Sequence, residues 1–252
     1  MKWLKGQKVW LRAVILAACA LILAGALAAL TFFVILPAGR YARAASLAAS
    51  DPARAFDAFE RMDGYRNAEG RMQELRDEVF ATRSVEYMEF GGREWLVLEE
   101  RDGNALLLLR DVLPERAYHE ALVGVTWEDS NIRQYLNGAF LNGFDQQYRA
   151  RIIETEVVNT NNADFGTSGG NNTRDYIFLL SLAEANFYFE SAAARIARHE
   201  GSTVHAVWWL RSPGLQQETA AMVRADGELG RTGSGVNATN RTVRPAMWVR
   251  LG

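Results

Sequence analysis

The chain has 252 residues, of which 49% are hydrophobic and 23% charged, and its formal net charge at pH 7 is -2. This composition is sufficient for a sizeable hydrophobic core and is unlike that of a disordered chain. With so small a net charge, no extended basic surface is available to neutralise phosphates, so nucleic acid is excluded as an expected partner. Because Cys19 is the single cysteine, the rest of the chain cannot form a disulfide or use a cysteine nucleophile.

The first element is an uncharged, apolar run from Ala13 to Leu36. As a helix this run would be about 36 Å long, which exceeds the roughly 30 Å of a bilayer's hydrocarbon core. Three lysines and one arginine, with no acidic residue, precede it, and the positive-inside rule therefore places the N-terminus in the cytoplasm. We predict a cytoplasmic tail at 1–12, a single transmembrane helix at 13–36, and the remainder of the chain outside the cell membrane.

Two processing events would change this anchor. Cleavage near residues 42–44, which read Ala-Arg-Ala, would release the rest of the chain, although the apolar run is longer than the 7 to 15 residues of an ordinary signal-peptide core. Residues 16–19, Leu-Ala-Ala-Cys, resemble a bacterial lipobox, although the sequence stays apolar well beyond Cys19, where a lipoprotein would turn polar. The sequence favours the uncleaved anchor and leaves both alternatives open.

A helical stalk is predicted at 37–83. Asp51 can cap a helix whose first position is Pro52, and apolar residues recur at helical spacing on both sides of Gly64, which predicts two helices packed as a hairpin. The segment resembles one tetratricopeptide-like unit, which lacks the neighbouring repeats of a solenoid. It is either a spacer that packs on itself or on the following domain, or a hairpin that docks a partner. The apolar positions are Phe56, Phe59, Met62, Ala68, Met72, Leu75 and Val79.

From residue 84 to 252 the pattern changes to short strands. Strands at 84–90, 93–100 and 105–113 are separated by glycine-containing turns, which predicts a β-meander. Ser130 and Ser181 can each cap a helix, and Glu184 completes a capping box with Ser181. Short strands interleaved with a few helices predict an α+β module with a mixed sheet. Further strands are predicted at 152–158, 175–180, 205–210, 219–224 and 243–251.

Five motifs follow one another from residue 93 to the C-terminus: REWLVL, TWEDSNIRQYLNGAFLNGF, NTNN with a later GGNNTRDYIFLLSLAEA, WWLRSPG and VRPAMWVRL. On these motifs the module resembles the bacterial domain of unknown function numbered six-two-seven-three. Its WWLRSPG and VRPA segments are similar to those of formylglycine-generating enzymes and C-type-lectin-like proteins, which implies a fold of that kind. The copper-binding cysteines of those enzymes are missing, and residues 127–129 only approach a lectin calcium motif. Kinship of fold alone does not supply a function.

The candidate ligand-binding residues come from three kinds of segment. Amides, carboxylates and glycines concentrate at 159–175, and these residues suit turns, a ligand-contacting loop or, as a weak alternative, calcium. Two arginines at strand edges can either tie loop carbonyls together or bind an anionic ligand. Tryptophans in the strands can stack on a sugar or fill the core. The candidates are Asn161, Asn162, Asp164, Asn171, Arg174, Asp175, Trp209, Arg211, Ser212 and Arg244.

No catalytic residue or metal ligand is assigned from the sequence. The three histidines, at 119, 199 and 205, do not stand in a metal-binding spacing, and neighbouring glutamates such as Glu99 and Glu100 point to opposite faces of a strand. The first hypothesis is a non-enzymatic extracytoplasmic module that binds a cell-surface glycan, a peptide, a protein or a cell-wall ligand, without a cofactor unless calcium is bound. The alternative is an envelope enzyme that uses carboxylates or a bound metal.

Overall fold

A computed structural model of the chain describes residues 21, 23–24, 28–62, 65–80 and 85–252. The predicted tail at 1–12 and much of the predicted transmembrane helix at 13–36 lie outside these residues, so both stay predictions. Among the residues described, no helix combines the length and apolar character needed to cross a membrane.

Three helices precede the strands. A π-helical turn (Thr31–Ile35) leads into α1 (Leu36–Leu47), and α2 (Pro52–Glu60) and α3 (Ala68–Phe80) follow. The carboxylate of Asp51 accepts the Arg54 backbone N–H at 3.0 Å and caps α2, with proline at the first helical position as the sequence predicts. Helix α2 packs against both α1 and α3.

The largest sheet has five strands in the order β1-β2-β3-β12-β4, all antiparallel. The predicted meander is confirmed, and its two turns are tight because Gly91, Gly92, Asp102 and Gly103 all have positive φ. The C-terminal strand lies between β3 and β4, which makes it an interior strand of the sheet. The five strands are β1 (Glu86–Phe90), β2 (Arg93–Arg101), β3 (Asn104–Leu109), β4 (Ile152–Ile153) and β12 (Ala246–Arg250).

Three smaller antiparallel sheets complete the α+β module, in the orders β11-β10-β9, β5-β6 and β7-β8. Their strands are β5 (Thr155–Val157), β6 (Thr173–Asp175), β7 (Ala197–Arg198), β8 (His205–Ala206), β9 (Trp208–Pro213), β10 (Thr219–Val223) and β11 (Leu229–Gly235). Between the strands lie α4 (Asn131–Tyr135) with a π-helical turn (Leu136–Phe140), α5 (Gln146–Arg149), α6 (Leu182–Phe187) and α7 (Ala192–Arg195).

Ser130 caps α4, and the full capping box of Ser181 and Glu184 opens α6, as predicted. The strand predicted at 175–180 is wrong in extent. Strand β6 ends at Asp175, and the following residues form one isolated β-bridge, between Phe178 and Ala246, in place of a ladder. Residues 177–180 are buried in the core but do not pair as a regular strand. The prediction failed because the periodicity of a sequence cannot distinguish a buried strand from a buried extended loop.

The helices at 52–80 pack directly on the strand-containing module. The ring of Phe56 in α2 stacks on Phe187 of α6, with centroids 3.9 Å apart, and both rings are buried. The guanidinium of Arg76 in α3 donates to the carbonyls of Asn186, at 2.7 Å, and Glu190, at 2.7 Å. The contact is therefore apolar at its centre and hydrogen-bonded at one side.

Candidate ligand-binding cleft

A cleft of about 730 Å³ lies beside α7 and the β7-β8 pair. One side of it is formed by the segment Tyr188–Glu190, and the other by the residues around Arg110 at the end of β3. Apolar and charged side chains share its surface. The apolar ones include Val85, Tyr87, Leu96, Phe189, Ile196 and Ala197, and the polar ones include Arg110, Asp111, Arg198, His199, His205 and Arg244.

Arg244 is the most buried charge in the wall of this cleft. Its guanidinium donates to three carbonyls, those of Leu109 at 2.9 Å, Arg110 at 3.2 Å and Arg195 at 3.3 Å. The residue is only 4% exposed, and within the described residues it forms no ion pair with a carboxylate. Desolvation by burial lowers the pKa of Arg244 to about 10, because the charged form has lost its water and the opposing effects of Tyr87 and Asp111 are smaller.

A second arginine lies across a short segment from Arg244. The backbone N–H of Val112 donates to the Arg198 carbonyl at 3.0 Å, while the Arg110 carbonyl two residues earlier accepts from Arg244. Residues 110–112 therefore lie between Arg244 and Arg198 and are hydrogen-bonded to both residues. The side chain of Arg198 is exposed and has no hydrogen bond or ion pair among the residues the structure describes, which leaves its five donors available to a ligand.

Several contacts fix the walls of the cleft. Ser191 caps α7 by accepting the Ala194 backbone N–H, and Arg195 donates to the Gly227 carbonyl at 2.8 Å. Gly227 has φ +83°, and a Cβ there would lie 1.8 Å from the Ala192 carbonyl oxygen, so only glycine fits. Arg76 of α3 holds the Phe189 carbonyl at 3.0 Å. The cleft is thus built on supported backbone.

A cluster of buried charges lies on the other side of α6, where α2 meets the module. Arg211 forms a bidentate ion pair with Glu184 and also donates to the carbonyls of Leu179 and Val158, each at 2.8 Å. Glu60 of α2 accepts the Ser181 hydroxyl at 3.1 Å. Burial, reinforced by the charge of Glu184, raises the pKa of Glu60 to about 8.

Glu99 extends this cluster on β2. Its carboxylate accepts the Tyr188 hydroxyl at 2.7 Å and pairs with Arg101 at 3.1 Å. Burial outweighs these contacts and raises the pKa of Glu99 to about 7. Arg101 also pairs with Asp57 of α2 at 2.9 Å. The cavity at this junction has a volume of about 140 Å³, and the carboxylates of Glu99 and Asp57 contact arginine and tyrosine partners.

Four of the predicted ligand residues come together around a separate cavity of about 260 Å³ between α3 and the loop at 160–164. Asn162 is buried and its amide donates to the carbonyls of Pro213 at 2.9 Å and Arg231 at 3.1 Å, which is the role of a structural tie. The Asn161 amide accepts the Gly169 N–H at 3.1 Å. The four residues are Asn161, Asn162, Asp164 and Ser212.

The other loop candidates lie apart from both cavities. Asp175 is buried and accepts from Trp127 at 2.9 Å and from Arg133 at 2.6 Å. Asn171 donates to Glu128 at 2.9 Å. Arg174 pairs with Glu154 at 2.9 Å on the surface. Each side chain already has a protein partner.

Trp209 is fully buried, and its indole N–H donates to the Arg116 carbonyl at 2.8 Å, so the side chain belongs to the core. Arg211 is committed to Glu184, and of the ten candidates only Arg244 lines the large cleft. Sequence reasoning missed Arg198 and Asp111. Arg198 could have been noticed, because arginines and histidines recur through residues 195–205. Nothing in the sequence indicates that this stretch lies beside residues 110–112.

No group of three or more histidine, cysteine or acidic side chains suited to a metal ion occurs among the residues described. The calcium alternative stays a weak prediction without an identified site.

The fold and cleft define an α+β module with one large cleft of mixed apolar and charged lining. A family model described as "Domain of unknown function (DUF6273)" matches residues 102–251, which is more than half of the chain, and the chain belongs to that family. No match is found among the curated proteins or among the solved structures. The kinship with formylglycine-generating enzymes and C-type-lectin-like proteins stays a prediction.

Proposed function

We propose that this chain is a non-enzymatic binding protein of the bacterial envelope. A span at 13–36 holds it in the membrane with the module outside, and a ligand occupies the large cleft. The ligand classes that suit this placement are a glycan, a peptide or a cell-wall polymer.

The cleft is the observation that carries this proposal. Its volume of about 730 Å³ falls within the roughly 300 to 1,000 Å³ of typical ligand sites. Apolar side chains for contact area lie beside a few charged groups that can orient a ligand. A polymer would place one end or a short segment in a space of this size.

The test uses the full chain in detergent micelles and measures its retention on cell-wall material and on glycan and peptide arrays. Ala193→Trp places a large side chain in the cleft, since Ala193 lines it, and we expect retention to be lost. Ala150→Trp, at an exposed alanine after α5, is the matched control and should bind like the wild type. Absence of any retention, or equal retention by both variants, would contradict the proposal.

The placement in the membrane has its own test. In a Cys19→Ala background, Thr239→Cys adds a thiol to an exposed loop of the module, and Gln7→Cys adds one to the predicted tail. A membrane-impermeant maleimide should label the first in intact cells and leave the second unlabelled until the cells are opened. The reverse pattern would place the module inside.

The alternative, an envelope enzyme, is supported by the raised pKa values of Glu60 and Glu99, since perturbed carboxyls often mark catalytic sites. Against it, the adjoining cavity of about 140 Å³ is below the usual size of a ligand site. Hydrolysis of wall material by the wild type that is lost in Glu99→Gln would favour the enzyme over the binding protein.

A further inference from the structure

Three arginines of the described module are buried, Arg195, Arg211 and Arg244, and of these Arg244 lines the cleft while Arg195 and Arg211 do not. Arg211 and Arg244 differ in their counterions. Arg211 faces the carboxylate of Glu184 in a bidentate pair, whereas Arg244 is held only by backbone carbonyls. A buried charge without an opposite charge is costly, and truncating a partner of a buried pair typically destabilises a protein strongly. Arg244 therefore places a buried positive charge in the wall of the cleft, and among the described residues no carboxylate forms an ion pair with it.

The other charges around the cleft do not supply that anion within ion-pair distance. Arg110 is paired with Glu94. Asp111 also lines the cleft, and its charge acts on Arg244 from beyond 4 Å, since no ion pair joins them among the described residues. Arg198, across the same segment, adds a second guanidinium with free donors.

The guanidinium of Arg244 has donors left for a ligand. Each of its three nitrogens makes one hydrogen bond to a carbonyl, while the group carries five N–H bonds in total. Two N–H groups therefore remain, one on each terminal nitrogen, and guanidinium donors form strong hydrogen bonds with the oxygens of a carboxylate or phosphate.

Apolar side chains are exposed at the mouth of the same cleft. Tyr87 is 50% exposed and Val85 72% exposed, and the wall beneath is completed by Leu96 and Phe189. Burying such surface on binding is favourable in proportion to its apolar area. A ligand with an apolar body would use it, and a bare anion would not.

We propose that the cleft binds a ligand in which a carboxylate or phosphate is joined to an apolar body, with the anionic group facing Arg244 and Arg198 and the body against Tyr87 and Val85. This inference rests on the proposed function, because it names the ligand class of the same cleft. It predicts that both parts of the ligand contribute to affinity.

Isothermal titration calorimetry of the full chain in non-ionic detergent micelles tests this with a matched panel: phenyl phosphate, benzoate, benzyl alcohol, benzylamine and inorganic phosphate. We expect one or both aromatic anions to bind more tightly than the neutral, cationic and purely inorganic probes. Comparing phenyl phosphate with benzoate separates the two anion types. Arg198→Ala should weaken the preferred anion about tenfold, and Arg224→Ala, at an exposed arginine outside the cleft, should leave it unchanged.

Failure of the ligand class is distinguishable from failure of the proposed function. If benzyl alcohol or benzylamine binds as well as the anions, or if Arg198→Ala and Arg224→Ala bind alike, the ligand class is wrong. The ligand class is also wrong if no probe binds in the calorimeter while the wild type is retained on wall material and Ala193→Trp is not. If neither probes nor wall material bind, the proposed function is overturned as well. Arg244→Lys, which keeps the charge but loses the planar pair of donors, should weaken the anion without unfolding the chain.

Discussion

At the scale of single residues, Arg211 and Arg244 show how equal sequence contexts acquire different roles. Arg211 lies two residues before a proline and Arg244 one residue before a proline, each near the end of an apolar strand. Both side chains are buried. Arg211 meets a carboxylate from α6, 27 residues away in the sequence, and Arg244 meets only carbonyls. The difference lies in their neighbours in space, and it assigns one arginine to the core and the other to the cleft.

Glu60 makes stability depend on pH. Its pKa rises from 4.5 in the unfolded chain to about 8 in the folded one, so folding takes up a proton between these values. The contribution of Glu60 to the free energy of unfolding is then largest below pH 4.5 and falls as pH rises towards 8. At about 1.4 kcal/mol for each unit of pKa, we expect a loss on the order of 5 kcal/mol from this group, and Glu60→Gln should remove it. Urea unfolding at a series of pH values measures the slope.

The control for that series is Glu89→Gln, which changes an exposed carboxyl on β1. A smaller slope should persist in Glu60→Gln because the pKa of Glu99 is also raised, to about 7. A stability that rises with pH over this range, or an unchanged slope in Glu60→Gln, would show that Glu60 is ionised in the folded protein.

The adjacent asparagines Asn161 and Asn162 should differ in stability. Asn162→Ala removes an amide that donates to the carbonyls of Pro213 and Arg231 and leaves them unsatisfied, so we expect a loss of about 2 to 3 kcal/mol. Asn161→Ala removes a more exposed contact to Gly169 and should cost less than about 1 kcal/mol. Thermal unfolding of the two variants compares them directly, and equal losses would contradict a structural role specific to Asn162.

At the scale of elements, α2 and α3 contribute to the packing of the module. Helix α2 supplies Phe56 and Glu60 to buried contacts with α6, and α3 supplies Arg76, which ties the segment that lines the cleft. The helices therefore support one wall of the cleft through direct contacts. A helix whose apolar face is buried gains most of its stability from such packing.

Phe56→Ala should therefore destabilise the whole module and not only α2. Removing a buried, stacked ring typically costs about 3 to 5 kcal/mol. Hydrogen exchange should become faster in α6 as well as in α2, because Phe187 loses its partner. Phe165→Ala, at a phenylalanine that is 40% exposed, is the matched control and should change stability by less than about 0.5 kcal/mol. If exchange in α6 is unaffected, the docking contact is not formed in solution.

At the scale of the whole molecule, the C-terminal strand β12 joins strands that are far apart in the sequence. Strand β12 pairs with β3 on one side and β4 on the other, and its residues Ala246–Val249 are buried. The meander at 86–109 therefore depends on residues more than a hundred positions later. Such non-local pairing forms only after a long loop has closed.

Ending the chain after Pro245 should abolish folding, since β3 would lose one of its two partners, β4 would lose its partner β12, and the buried apolar surface would be exposed. Removing Gly252 alone, an exposed terminal residue, should leave folding intact. Circular dichroism and size-exclusion chromatography of the two truncations distinguish them. A folded, monodisperse chain ending at Pro245 would mean that β12 is dispensable.

The sequence could predict the parts of the fold that depend on neighbouring residues. The cap at Asp51, the capping box of Ser181 and Glu184, and the turns of the meander all follow from side chains within about four positions of one another. The strand predicted at 175–180 failed, because burial on every side imposes no alternation on the sequence. The β11 strand was missed, since LGRTGSG is polar and rich in glycine.

By itself, the sequence determined the α+β composition, the meander, the helix starts and the family, because local pattern and ordered motifs carry that information. Only the tertiary structure decided that Asn162, Asp175, Trp209 and Arg211 serve the packing and that Arg244 faces a cleft. Whether a polar side chain binds its own protein or is free for a ligand depends on which atoms surround it. Those atoms come from segments far apart in the chain, such as residues 110–112 and 195–198, that only folding brings together.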